Sequence, residues 1–165
     1  MTARSETLDL EETATIATTA PPGSPVRQLS VFLENRVGAL LSVVRRVNEL
    51  LVEVVGLSVV DSVDVTIVRM IVTDPDVAAT AFLEKGIPFS ETRLLVVELD
   101  EGAHGLAACL SALQEGETNI HFSYPLLTRP RGRAALAICL EEPDFGSTVL
   151  RHAGFRVLYQ EDLAR

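Results

Sequence analysis

The chain has no tryptophan, two cysteines and an aromatic content of only 5%. Surfaces that stack on nucleic-acid bases are built from aromatic side chains, so their scarcity argues against that role. Positive charge is scarce as well: 14 Lys and Arg stand against 23 Asp and Glu, a net charge of −9. Phosphate backbones and anionic lipid surfaces repel such a chain, so neither nucleic acid nor a membrane is an expected partner. The one tight basic cluster, Arg129, Arg131 and Arg133, alternates with Pro130 and Gly132 and reads as a solvated hairpin loop. No apolar run reaches the roughly 18 residues a membrane helix requires, and the N-terminus lacks the basic-then-apolar order of a secretory leader. The expected location is cytoplasmic. Cys109 and Cys139 both lie in apolar surroundings and read as buried, reduced thiols rather than a disulfide or a metal pair.

Fingerprints of catalysis are missing too. There is no Gly-x-Ser-x-Gly elbow, phosphate-binding loop or dinucleotide motif, and Ser58, Ser62 and Ser111 have no triad partners in motif positions. His104, His121 and His152 are not spaced as metal ligands. Asp61, Asp64, Asp74 and Asp76 are accounted for by turns and a helix cap. No catalytic residue, metal or cofactor is therefore expected, and the chain does not read as an enzyme.

What is present is a patterned core. Apolar residues make up 47% of the 165 positions, enough for one domain or two small ones. Residues 1–26 alternate Thr, Ala and acidic residues and end in a Pro-Pro-Gly-Ser-Pro stretch, which predicts a mobile tail with a short helical piece at most near 8–13. From residue 29 the pattern sharpens. Leu-Ser-Val-Phe-Leu reads as a strand, Glu34-Asn35-Arg36-Val37-Gly38 as a tight polar loop, and Leu40, Val43, Val44, Val47, Leu50 and Leu51 mark one face of a helix. Gly38 offers a position without a Cβ, and the free amides of the helix open onto the same loop, where a carboxylate or another anion can be received.

The continuation is regular. Strands are predicted over 53–60 and 65–73, a helix begins at Asp74-Pro75-Asp76 and ends at Lys85-Gly86, and a fourth strand follows over 88–92. The order β-α-β-β-α-β is that of a ferredoxin-like unit, an antiparallel sheet with both helices on one face. Residues 94–99, 106–113, 120–127, 133–140, 143–153 and 155–159 repeat it. Gly105, about 67 residues after Gly38, stands at the end of the corresponding loop. The expectation is an α+β chain of two ferredoxin-like βαββαβ units, spanning 27–92 and 93–165 behind a tail of 1–26.

This duplicated pattern, with its Asn-Arg-x-Gly-x-Leu turn, resembles the ACT domain family of small-molecule-sensing regulatory domains. Glu34-Asn35-Arg36-Val37-Gly38-Ala39-Leu40 is similar to the Glu-Asn-Arg-Pro-Gly-Val-Leu turn of the regulatory domain of phosphoglycerate dehydrogenase, with Val37 in place of Pro. The whole chain resembles free-standing tandem ACT proteins. In serine-sensing members the resemblance implies an Asn in the first turn and another at the start of the second strand, contributed across an interface between two domains. Asn35 holds the first position; the second is Glu53 in the first repeat but Asn119, followed by Ile120, in the second. The resemblance therefore implies one composite site, with Asn35, Arg36, Val37 and Gly38 facing Asn119, Ile120 and His121, for a small amino acid. Phe32 stands where serine-type domains often carry His, which makes valine, leucine or isoleucine at least as suitable as serine. The implied protein is a non-catalytic regulator, expected as a homodimer with a metabolic enzyme as its partner. The alternative is a dimerisation protein of the same fold that has lost its ligand, a reading favoured by the eroded second turn, Gly102-Ala103-His104-Gly105.

Overall fold

The computed structural model describes residues 18–164. The expected tail helix near 8–13 and most of the expected mobile tail lie outside the described residues. Within them the chain runs β1 (Val26–Glu34), α1 (Ala39–Glu49), β2 (Val54–Asp61), β3 (Val65–Val72), α2 (Pro75–Glu84), β4 (Phe89–Leu99), α3 (Ala103–Glu115), β5 (Ile120–Pro125), β6 (Ala134–Leu140), α4 (Pro143–His152) and β7 (Val157–Leu158). The fold is α+β, and βαββαβ occurs twice, as the apolar periodicity predicts.

The two strands expected at 88–92 and 94–99 are one. Nothing between Phe89 and Leu99 breaks a strand, and Arg93 simply continues it. The first half of β4 pairs with β1, from Val31↔Phe89 to Val26↔Leu94, while the second half pairs with β6 through Leu95↔Ile138 to Leu99↔Ala134. All the pairings are antiparallel and give one sheet ordered β2-β3-β1-β4-β6-β5, with β7 also on β4. The last strand, expected over 155–159, shrinks to Val157–Leu158 beside Val96 and Val97. Just beyond, at Leu94, β4 is already taken by Val26 of β1.

The sheet curls until its ends touch. Gly56 of β2 bridges Leu126 just past β5, and the Leu127 amide donates to the Val55 carbonyl at 2.8 Å. A Cβ on Gly56 would stand 3.0 Å from the Leu126 side chain and 3.2 Å from Ile71, so this closure favours a residue without one. Alternation along the strands then sorts side chains to two faces. Leu29, Val31, Val68 and Met70 pack with Val43, Val47 and Phe82 of α1 and α2. Leu95, Val97, Ile138 and Leu140 pack with Cys109, Leu113 and Leu150 of α3 and α4. A third core, with no residue of α1 to α4 in it, fills the inside of the curl: Val26, Val55, Ile71, Leu94, Val96, Tyr124 and Ala137, joined by Leu163 of the C-terminal 3-10 turn.

Capping matches the sequence signals in the first repeat. Asp74 accepts from the Val77 amide, Pro75 sits at the first helical position, and Gly86 follows the helix with φ 65°. Asp74 also accepts from the Thr19 amide and hydroxyl, both at 3.0 Å, and the Gly23 amide donates to Glu161 at 2.7 Å. Residues 19–24 thus lie hydrogen-bonded along the body. Gln160, after β7, closes the same corner: its side chain donates to the Val72 carbonyl at 2.8 Å and accepts from the Arg27 amide at 3.2 Å. In the second repeat Gly105 lies inside α3, and the residue with positive φ at the turn is Gly102, at 56°. The loop is shorter than the glycine spacing implies, because Ala103 and His104 already start the helix.

Cys109 and Cys139 are free and buried. Burial pushes the Cys109 thiol from its ordinary 9.0 up to about 11. A folded-state value above the unfolded one stabilises the fold fully below pH 9 and loses that contribution as pH rises through about 11. Urea midpoints measured from pH 8 to 11 are therefore expected to fall, and less steeply in Cys109→Ala. Gln160→Leu keeps the volume but leaves the Val72 carbonyl and Arg27 amide without their partner. A loss of about 1–3 kcal/mol in equilibrium unfolding is expected.

Candidate ligand sites

The first-repeat turn is built as its sequence demands. β1 ends at Glu34, the Arg36 amide donates back to the Glu34 carbonyl at 2.8 Å, and Gly38 enters α1 with φ 84° and ψ −5°. No side chain caps α1, and no acidic residue occupies its first turn. Asn35, Arg36, Val37 and Gly38 are all exposed. A shallow hollow runs from Gly38 along α1 past Ser42, Arg45 and Arg46. Free amides at the Gly38 end and the Arg45 guanidinium favour negative charge there, while at the far end Arg46 is held by Glu49 at 3.7 Å.

Asn119 sits in the opposite electrostatic setting. It borders a pocket of about 140 Å³ lined by Glu117, Thr118, Glu141, Glu142 and Phe145, and its carbonyl accepts from the Glu141 amide at 3.3 Å. Three carboxylates around an amide suit an ammonium group. Ile120 is half-buried against the core under α3 and α4, and exposed His121 falls in the irregularity between Ile120 and Phe122. Within one chain the two half-sites are apart. Between β1 and β5 the sheet places β3 and β2 along one path and β4 and β6 along the other. The hollow at Gly38 and the pocket at Asn119 share no residue.

A third cleft, of about 290 Å³, opens where the N-terminal segment, β4 and α4 meet. Its cations are engaged: Arg93 holds Asp144 at 3.0 Å, and Arg151 contacts the Tyr159 hydroxyl. Among the described residues there is no group of His, Cys, Asp and Glu that would hold a metal ion. No helix among them is long and apolar enough to cross a membrane.

Residues 24–164 match the ACT domain pair family. The chain belongs to it. Among solved structures, protein BT0572 from Bacteroides thetaiotaomicron is similar to this ACT pair with a TM-score of 0.77 at 26% identity, over 86% of this chain and 96% of that one. The ligand-free regulatory subunit of aspartate kinase from Thermus thermophilus is similar with a TM-score of 0.57 at 12% identity, over 79% and 91%. The second likeness is one of fold. A search of curated proteins returned no match.

One polar feature of the ACT pair escaped the sequence reading. Inside the curl the Tyr124 hydroxyl donates to Gln28 Oε1 at 2.7 Å, and Gln28 Nε2 donates to Ser30 Oγ at 2.9 Å, all three residues being buried. Burial pushes the Tyr124 hydroxyl far up, partly opposed by the Arg69 charge, so it stays a donor. Arg69 lies opposite Ser30, half-buried, its guanidinium 4.0 Å from the centre of the Phe122 ring. A lone arginine in the strand Val-Thr-Ile-Val-Arg-Met-Ile-Val was the available signal. Which face it takes depends on register, which composition does not reveal.

The turn itself carries a simple test. Beyond its chain neighbours no heavy atom lies within 4 Å of where a Gly38 Cβ would stand, so Gly38→Ala meets no packing clash and its penalty comes from the left-handed backbone. A loss of about 1–2 kcal/mol in urea unfolding is expected.

Proposed function

We propose that this ACT pair is a non-catalytic regulatory module that binds a small amino acid and passes the bound state to a metabolic partner. ACT domains are small-molecule-sensing regulatory units, and family membership supports that role for this chain. The observation that carries the ligand class is electrostatic: an uncapped helix start at Gly38 with Arg45 along the same hollow, and an acidic, amide-bearing pocket at Asn119. An amino acid has one charge for each.

Because one chain keeps these halves apart, we place the complete site between two copies. Asn35, Arg36, Val37 and Gly38 of one copy take the carboxylate, and Asn119, Ile120 and His121 of a second take the ammonium end. The proposed assembly is a homodimer, and ligand bridging the two copies favours the closed arrangement by population shift.

The test is a thermal-shift screen of the twenty amino acids, with sedimentation to follow assembly. An aliphatic amino acid is expected to raise the midpoint and favour the dimer. Asn35→Ala and Asn119→Ala are each expected to weaken binding about tenfold, the worth of one or two hydrogen bonds. An unchanged response in Asn35→Ala removes the turn from the site, and a silent panel supports the dimerisation-only reading.

A further inference from the structure

The helix-free face of the first repeat carries a second receptor, set apart from the turn. Strand register places Ser90 of β4 opposite Ser30 of β1, Ser30 opposite Arg69 of β3, and Arg69 opposite Ser58 of β2. Residues directly opposite in antiparallel strands share a face, so one arginine and three serines form a polar row across four strands. The next row is Phe32, Ile67 and Val60, again directly opposite one another, with Phe32 and Val60 exposed at 36% and 39%. The row on the other side, around Gln28 and Ile71, is sealed by Tyr124 and Leu126. The polar row therefore lies where the buried interior gives way to an open apolar face.

Two of its groups have unused hydrogen-bonding capacity. Arg27, Arg93 and Arg133 each hold a carboxylate, whereas Arg69 has no hydrogen-bond or ion-pair partner among the described residues. Stacking on Phe122 occupies the plane of its guanidinium and leaves the N–H groups at the rim available. Ser30 is 7% exposed, and its oxygen already accepts from Gln28 Nε2. Among the described residues the Ser30 hydroxyl donates to no acceptor. A half-buried cation without a counter-ion, beside a buried hydroxyl forced to donate outward, calls for an anion with two oxygens.

We infer that the row Ser30, Arg69 and Ser58 binds the carboxylate of a small molecule whose apolar side chain lies on Phe32, Ile67 and Val60. Arg69 supplies a forked pair of donors, Ser30 a third, and the adjoining row supplies apolar cover without charge. Branched-chain amino acids and the corresponding 2-oxo acids share this chemistry. Ser58 and Ser90 hydroxyls are the groups that would tell an ammonium from a ketone. The site is independent of Asn35 and Asn119, so it stands or falls apart from the turn.

The experiment is calorimetric titration of the full chain with leucine, isoleucine, valine and their 2-oxo analogues, with the Arg69 side-chain Nε–H resonance followed by NMR. Binding of at least one carboxylate with a shift of that resonance is expected; the shift persists in Asn35→Ala, and in that background Arg69→Met weakens binding at least tenfold and Ser30→Ala severalfold. Binding of amino acids alone assigns the ammonium to the serine hydroxyls, and equal binding of both series assigns recognition to carboxylate and side chain; either supports the site. Should Arg69→Met fold poorly, Arg69→Lys, which keeps charge but loses the fork, is expected to fold and to bind more weakly. No heat with any of the six compounds, or heat unchanged in the Arg69 variants, overturns the inference. So does an Arg69 resonance that responds to chain concentration or to deletion of residues 1–17 and not to carboxylate, because the face is then covered by a second copy or by that segment.

Discussion

The hydrogen bonding of β4 holds the two halves of the molecule in a single register. Its first half is stitched to β1 and its second half to β6 and β7, so the last strand of one repeat is the first strand of the next. A strand cannot slip against itself. Moving β4 by one residue against either half of the sheet would turn Leu94 and Val96 outward and bring Leu95 and Val97 into the curl, exchanging two cores at once. Three apolar cores therefore rest on the backbone of eleven residues. The edge contact at Gly56 and Leu126, and the corner tied by Gln160, lock a curl that β4 has already set.

That shared strand also explains which surfaces are left open. Where β4 serves the second repeat, its inward residues Leu94 and Val96 meet Tyr124, Ala137 and Leu158 and are buried. Where it serves the first repeat, Ser90 is exposed and Thr92 half-buried, because β5 and β6 no longer stand opposite. The curl is closed at one end and open at the other. Arg69 sits at that transition, where desolvation is partial and Phe122 shields one face of the guanidinium. A charge there interacts more strongly with a ligand than it would in bulk water, without the penalty of complete burial.

Much of this was legible in the chain. Spacings of three and four gave α1 and α3, β-branched runs gave β1 to β3, and Asp74-Pro75 with Gly86 marked the bounds of α2. These are local signals, and local chemistry decides them. The fusion of the expected strands at 88–92 and 94–99 was not legible, since Arg93 has the same propensity in a strand interior as in a short connector. β7 was overestimated for a different reason: Phe155 to Tyr159 has the composition of a strand, but its neighbour's edge was already filled. The turn residues Asn35 to Gly38 were found from their motif, whereas Ser30, Arg69 and Ser58 are far apart in sequence and form a row only once the register is known.

The two turns show how a duplicated unit can divide its work. In the second repeat Asp100 and Glu101 stand just before Gly102, and Arg133 is already committed to Asp100 and, at 3.3 Å, to Glu98. Glu98 is 6% exposed with Oε2 unpartnered, so that arginine is the compensation the buried carboxylate has. Drawing Arg133 toward an incoming carboxylate would strip Glu98 of its partner, and the acidic residues at the turn would repel the newcomer as well. The first turn has neither constraint: its lone acid, Glu34, is exposed and held only loosely by Arg36 at 3.6 Å. Asn35 to Gly38 are exposed. The second copy uses its basic residue to hold the shared strand in place, and that leaves the first copy as the electrostatically open one.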